Sequence, residues 1–422
     1  MTMVFAGGAS EETVSTDPNK PYAGQTIRII SANQPCVESS LQNYFDEFTE
    51  KTGIKVEIEI LGTDQFTNKV TVELSAKTST LDVIFLKPLT DLKLYYQNGW
   101  LTDLTPYFEN DAEFDLSDYY ESSLNSCSYN GSLFGIPFVA ESQIMYYRTD
   151  VFEANNLKVP ENFDELYETA LALTDKDNDF YGYVGRGKTN QCVTQFSTFL
   201  RNFGGDFNTP TESLVNTPAA LKAYNYYGKL LGNCAPPGVT NMSFAEAAAI
   251  FAQGKAAMFI DSDAIYSNVT DNGNSDYADV TSFALVPAGP EGQHPFFAVA
   301  AAWGIPAFSQ HKEAAIEFLK WACSKAMDVI MTKETQNPGC RASTWNNPEA
   351  TSGYPAKLLE VMLASREISV AGDRPTVINV TEARDIISVP IVQAIMGQDP
   401  TAAAAEAHAK FQALIDKENA AK

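Results

Sequence analysis

Alternation is strict in IKVEIEI (54–60), where Ile54, Val56, Ile58 and Ile60 share one face of an extended chain and Lys55, Glu57 and Glu59 the other. QTIRIIS (25–31) and LDVIFL (81–86) read as further strands, the latter buried on both faces. Before 54–60, Leu41, Tyr44, Phe45 and Phe48 recur at helical spacing, and Gly53 supplies a stop. FTNKVTVELSAKTS (66–79) reads as a second helix. Strand, helix, strand, helix, strand predicts an α/β domain with a largely parallel sheet.

A second α/β run begins after residue 135. Its pattern predicts helices over 161–174, 190–203, 217–231 and 243–253, with Thr217 capping a helix whose first residue is Pro218. KAAMFID (255–261) and TSFALVP (281–287) read as strands, and the remainder as helices near 311–333, 354–364, 382–397 and 400–418. One position breaks the pattern. In FVAESQIMYYR (138–148) Glu141 interrupts an apolar strand, and a carboxylate inside such a strand costs several kcal/mol unless something pairs with it or it faces water.

A chain of 422 residues is long for one core and comfortable for two domains. Its net charge of −24 argues against nucleic acid, which needs a basic face. No apolar run approaches the roughly 18 residues of a membrane span. Residues 1–21 resemble the tail of a secretory signal, with a cleavage site near Ala6, followed by a flexible tether. The six cysteines form no C-x-x-C, and both disulfides of an exported protein and six buried thiols are compatible with their spacing.

Two motifs propose other chemistry. GYVGRGKT (182–189) satisfies the phosphate-loop pattern, yet a polar turn, TDKDNDFY, precedes it where a buried strand is required. Asp175, Asp177 and Asp179 have calcium-loop spacing, but Phe180 stands at the glycine position and Arg186 at the bidentate acid, so a solvated turn fits better. The three histidines sit at no metal-ligand spacing, and no G-x-S-x-G is present. The rival class is therefore an enzyme, either a carbohydrate-active hydrolase with two placed carboxylates or, remotely, a nucleotide hydrolase through 182–189.

FVAESQIMYYRTDVFEANNLKVPENFDEL (138–166) resembles the carbohydrate-type extracellular solute-binding proteins of ABC importers, the maltose-binding-protein-like group. The matching residues are Tyr146, Tyr147, Arg148, Asp150, Phe152, Leu157, Val159, Pro160, Glu165 and Leu166, with Phe163 where a Trp is usual. FTEKTGIKVEIE, FAQGKAAMFIDSD, VPAGPEG, AAWGIPAFSQHKEAAIEFLKWACS and NPGCRAS are similar in the same order, although the Gly-Pro-Trp expected after the Asp is missing.

The resemblance implies a two-lobed α/β periplasmic-binding-protein fold of type II, each lobe a mixed sheet flanked by helices, with ligand held at the hinge. Lobe one would comprise 22–131 plus 301–345 and lobe two 135–298 plus 350–422, with crossings near 131–137, 296–302 and 345–350. Glu141 then matches a glutamate that projects into the cleft and accepts hydrogen bonds from sugar hydroxyls. Other expected ligand contacts are Asn33, Gln34, Asp64, Lys87, Arg186 and Asp261. Trp303 is expected to stack on the ligand, and Arg341 to face the cleft. The implied protein is non-catalytic, needs no cofactor and acts as a monomer. It would capture a monosaccharide, polyol or short disaccharide outside the cytoplasm, in a periplasm or tethered to the membrane, and deliver it to ABC permease subunits.

Overall fold

In a computed structural model of the chain, which describes residues 17–270 and 275–420, strand β1 (Thr26–Ala32) pairs in parallel with β2 (Lys55–Leu61) and β3 (Val83–Leu86). Residues 1–16, most of the expected signal remnant and tether, lie outside the described residues. The helix before β2 ends at Gly53, whose φ of 76° is the left-handed value a terminal glycine accommodates, and any side chain there would strike Ala23.

The sheet is mixed, as the resemblance implies, and not the largely parallel one that local pattern predicts. A small hairpin of β4 (Ser128–Tyr129) and β5 (Ser132–Leu133) leads into β6 (Ile136–Arg148), and later come β7 (Met258–Ser262), β8 (Thr281–Ala284), β9 (Phe296–Gly304) and β10 (Val370–Ala371). The strand order is β2-β1-β3-β9-β6-β7, with β8 also on β6 and β10 also on β9. Strand β9 enters antiparallel to β3, with Phe85 opposite Trp303. Local pattern does not reveal this pairing, because the partner lies far along the chain.

Strand β6 links two bodies. Its first half faces β9, from Ile136 opposite Trp303 to Ser142 opposite Phe297. Its second half faces β7 and β8, with Met145 opposite both Ile260 and Ala284. Phe138, Val139 and Ala140 belong to a core built from residues 27–140 and 297–340. Met145 joins a second core with Phe196, Tyr227, Ile387 and Phe411, and Ile144 a third with Phe259, Trp345 and Leu358. The chain thus leaves the first core along β6, returns along β9, and leaves again between Cys340 and Trp345. We call the first body lobe one and the body formed by the other two cores lobe two.

Most helices follow the predicted spans. The helix expected over 311–333 is two, Lys312–Ala322 and Lys325–Thr335, because the Ser324 side chain accepts a hydrogen bond from the Met327 N–H and starts a new helix. Among the described residues no helix is long and apolar enough to cross a membrane.

Candidate functional site

Glu141 occupies β6 where the chain passes from one core to the next, immediately after Ala140. Its carboxylate accepts a hydrogen bond from Ser262 Oγ at 2.5 Å. Burial raises its pKa to about 7, aided by Asp373 and Asp263 and opposed by the Ser262 hydrogen bond and the Arg186 charge.

Arg186 reaches the same place by a local device. Residues 181–186 run parallel beside β7, with Tyr181 bridging Ala256 and Val184 bridging Phe259, so Arg186 arrives alongside Asp261. Arg186 Nε donates to Asp261 Oδ2 at 2.7 Å and Nη2 donates to Oδ1, a bidentate pair with both residues buried. The Arg186 backbone is fixed too: its N–H donates to Gln195 Oε1 at 2.8 Å, and its carbonyl accepts from Tyr227 Oη at 2.7 Å. Burial alone would lower the Arg186 pKa, but Asp261 and the more distant Glu141 and Asp373 raise it.

A second ion pair, which sequence reasoning missed, closes the site. Arg374 donates through Nε and Nη2 to both carboxylate oxygens of Asp373, and Thr194 Oγ1 donates to Asp373 at 2.7 Å. Arg384 supports Thr194 through Nη2 at 3.1 Å. Burial would raise the Asp373 pKa, but Arg374, Arg384 and the Thr194 hydroxyl hold it far below the ordinary carboxylate range. Burial and the Arg374 charge bring Arg384 down to about 9. The signal was present as GDRP (372–375), but nothing local distinguishes that stretch from a turn.

Glu141, Arg186 and Asp261 are thus brought together. From lobe one, Lys87 lies at the carboxyl end of β3, where open sheets present ligand groups, and precedes the helix Pro88–Gln97. Its N–H donates to Asp91 Oδ2 at 2.9 Å, and its ammonium lies 5.7 Å from the Phe66 ring centroid. Asn33 is exposed after β1 and donates its N–H to the Leu61 carbonyl. Gln34 caps the one-turn helix Pro35–Glu38, its carbonyl accepting from Val37 and Glu38. Asp64 is in the first turn of the helix Thr63–Ser75, and its side chain lies outside the described residues.

Two expected ligand contacts lie elsewhere. Trp303 is wholly buried in the lobe-one core, stacked on Phe138 at 4.8 Å and 14° and edge-on to Phe85, so neither face of its indole is available as a platform. The pairing of β9 between β3 and β6 turns it inward. Arg341 is also wholly buried. Its Nε and Nη2 donate to the Cys323 carbonyl, Nη2 donates to the Phe114 carbonyl at 2.9 Å, and Nη1 pairs with Asp118 at 3.3 Å. With the Tyr119 ring 4.2 Å away, it ties lobe-one loops together and does not face a ligand.

The phosphate-loop motif has lost its donors to the protein. The N–H groups of Val184, Arg186, Gly187 and Lys188 donate to Met258, Gln195 and twice to Met242, and the next helix begins only at Cys192. The acidic turn is likewise self-contained, with Asp175 capping Asn178 and Asp179 pairing with Lys255 at 2.7 Å. No group of three or more potential metal ligands occurs among the described residues. All six cysteines are buried and unbonded, and burial pushes the thiols up, Cys192 to about 12 and Cys234 to about 11.

The family model of the bacterial extracellular solute-binding proteins matches residues 36–328. The chain belongs to that family. This solute-binding protein is 28% identical over 330 residues to the mannitol-binding protein of Pseudomonas aeruginosa, covering 76% of this chain and 74% of the relative. It is 27% identical over 337 residues to the erythritol/L-threitol-binding protein of Mycolicibacterium smegmatis, covering 75% and 70% of the two chains. An ABC transporter solute-binding protein from Agrobacterium radiobacter, solved in complex with ribitol, superposes with a TM-score of 0.84 at 27% identity, over 93% of this chain and 99% of that one. The solute-binding protein therefore has the two-lobed fold of its family, and the constellation around Glu141 lies where its two lobes meet.

Proposed function

We propose that this solute-binding protein captures a polyol or small sugar outside the cytoplasm and presents it, chemically unchanged, to the membrane subunits of an ABC importer. The observation that carries this reading is the enclosed set of hydrogen-bonding charges at the lobe junction: the Glu141 carboxylate beside the Arg186–Asp261 pair, with the Asp373–Arg374 pair nearby. Such groups suit a ligand dense in hydroxyls and short of apolar surface. Arg186 spends Nε and Nη2 on Asp261, which leaves Nη1 to donate to a ligand oxygen while Glu141 accepts from a hydroxyl.

Within this class the geometry favours an acyclic polyol. Trp303, the one aromatic platform the sequence suggested, is locked in the core, so a pyranose ring gains no stacking surface from it. The mannitol, erythritol or threitol, and ribitol named for the three relatives support the same choice. A hydrolytic reading lacks support, because Asp261 and Asp373 are each neutralised by an arginine and Asp263 is held by the Ser142 N–H and Oγ.

The test is thermal unfolding against erythritol, ribitol, D-mannitol, D-glucose and maltose. A ligand at about a hundred times its Kd adds roughly 2.7 kcal/mol to stability. Stabilisation by an alditol, with the alditol recovered intact, is the expected result. Stabilisation by maltose alone, or product formation from any of these, refutes the reading.

A further inference from the structure

Arg374 is a side chain by which lobe two reaches lobe one. One edge of its guanidinium, Nε and Nη2, is taken by Asp373, one residue back in the chain. Its remaining nitrogen, Nη1, donates to Thr90 Oγ1 at 2.6 Å. Thr90 is on the helix Pro88–Gln97 that follows β3 in lobe one, whereas Asp373 and Arg374 immediately precede the helix Val380–Ile395, whose residues fill the second core. Those two helices pack against each other, so Arg374 sits at a junction that exists only when the lobes are together.

The arginine is held ready from behind. Asp373 is wholly buried and also accepts from Thr194 Oγ1, Thr194 is supported by Arg384 Nη2 at 3.1 Å, and Arg384 Nε donates to the Asn190 carbonyl at 3.1 Å. Every one of these partners belongs to lobe two, so the guanidinium keeps its orientation whether or not lobe one is near. The contact with Thr90 is the part of the arrangement that closure makes and opening breaks. Arg374 also lies in the electrostatic range of Glu141 and Asp91, which puts the closing contact beside the ligand-binding carboxylate. A side chain pre-oriented on one lobe loses little freedom on meeting the other, so the new hydrogen bond acts almost entirely on the closed state.

We propose that Arg374 is a positioning residue for capture: a latch, preset on Asp373, whose hydrogen bond to Thr90 slows reopening of the closed cleft. The ligand arm of the test rests on the polyol reading above, but the opening of the lobes is measurable without ligand.

Thr90→Val removes the acceptor, keeps the side-chain shape and leaves the Asp373–Arg374 pair intact. Stopped-flow release of D-mannitol, small-angle X-ray scattering of the ligand-free protein and its melting midpoint are compared with wild type. The loss of a hydrogen bond to a charged group predicts release about tenfold faster, with the association rate changed by less than about twofold. It also predicts a ligand-free scattering curve shifted toward the larger, open form. The melting midpoint falls no further than the lost closed population accounts for, because no bond within either lobe is lost. Arg374→Lys, which keeps the charge but not the fork, is expected to release ligand as fast as Thr90→Val. Release and scattering both identical to wild type in Thr90→Val overturn the latch. If no alditol binds the wild-type protein, the polyol reading fails, and scattering alone decides the latch, identical curves overturning it.

Discussion

Ligand affinity should rise with pH through neutrality, and Glu141 should be the cause. In the ligand-free protein burial holds this carboxyl at a pKa of about 7, so it is largely protonated at slightly acid pH. A polyol that donates hydroxyl hydrogens to it favours the ionised form, which accepts hydrogen bonds at both oxygens. Suppose binding returns the group to its ordinary value of about 4.5. The ionised fraction of the free protein then sets the affinity: about nine-tenths at pH 8, about one-eleventh at pH 6, so Kd weakens about tenfold between the two. Near pH 6 binding should release close to one proton, because about nine-tenths of the free protein must lose it. Titration calorimetry of D-mannitol in two buffers of different ionisation enthalpy reads both quantities. Glu141→Gln should abolish the proton release and flatten the profile. Asp263 is also raised by burial, to about 6, but it faces Ser142, whose N–H and Oγ both donate to it. Its contribution would survive in Glu141→Gln, which separates the two. An affinity that stays level from about pH 6 to about pH 8, with no proton released, would refute the reasoning.

Three further outcomes are expected. Arg186→Met leaves Asp261 buried and unpaired, so unfolding free energy should fall by roughly 3–5 kcal/mol in denaturant titration, and adding Asp261→Leu should restore part of it. Trp303→Ala should cost about 3–5 kcal/mol through the cavity left beside Phe138 and Phe85, while calorimetry of the folded fraction shows ligand affinity unchanged; a lost affinity would return Trp303 to the binding site. A thiol-reactive dye should label none of the six buried cysteines in the native protein and all six after denaturation, because burial both hides them and keeps them protonated.

Glu141 shows how far local pattern reaches. Its place in an apolar strand was visible as an inconsistency, and a misplaced carboxylate is informative because the interior penalises it so heavily. Asp261 was legible for a related reason, as an acid closing a buried strand. Arg186 was legible only by its place in a glycine-rich loop, and its partner was not, since that follows from a bridge between residues 184 and 259. Trp303 and Arg341 were misjudged because a large aromatic or a cation beside a crossing has the same local signature whether it lines the cleft or fills the core. Their burial depends on which strands flank β9 and which loops surround residue 341.

By itself the sequence determined many of the strands and helices, though not β9 or the helix Pro88–Gln97, since alternation and helical spacing are properties of neighbouring residues, and it determined the acidic, solute-binding character of the chain through motifs in register. The tertiary structure alone decided that β9 enters the sheet antiparallel between β3 and β6, that Arg374 reaches Thr90 in the other lobe, and that Glu141 titrates near neutrality. Each of these depends on groups far apart in the chain. Desolvation and hydrogen bonding act on what is near in space, and a linear pattern does not carry that distance.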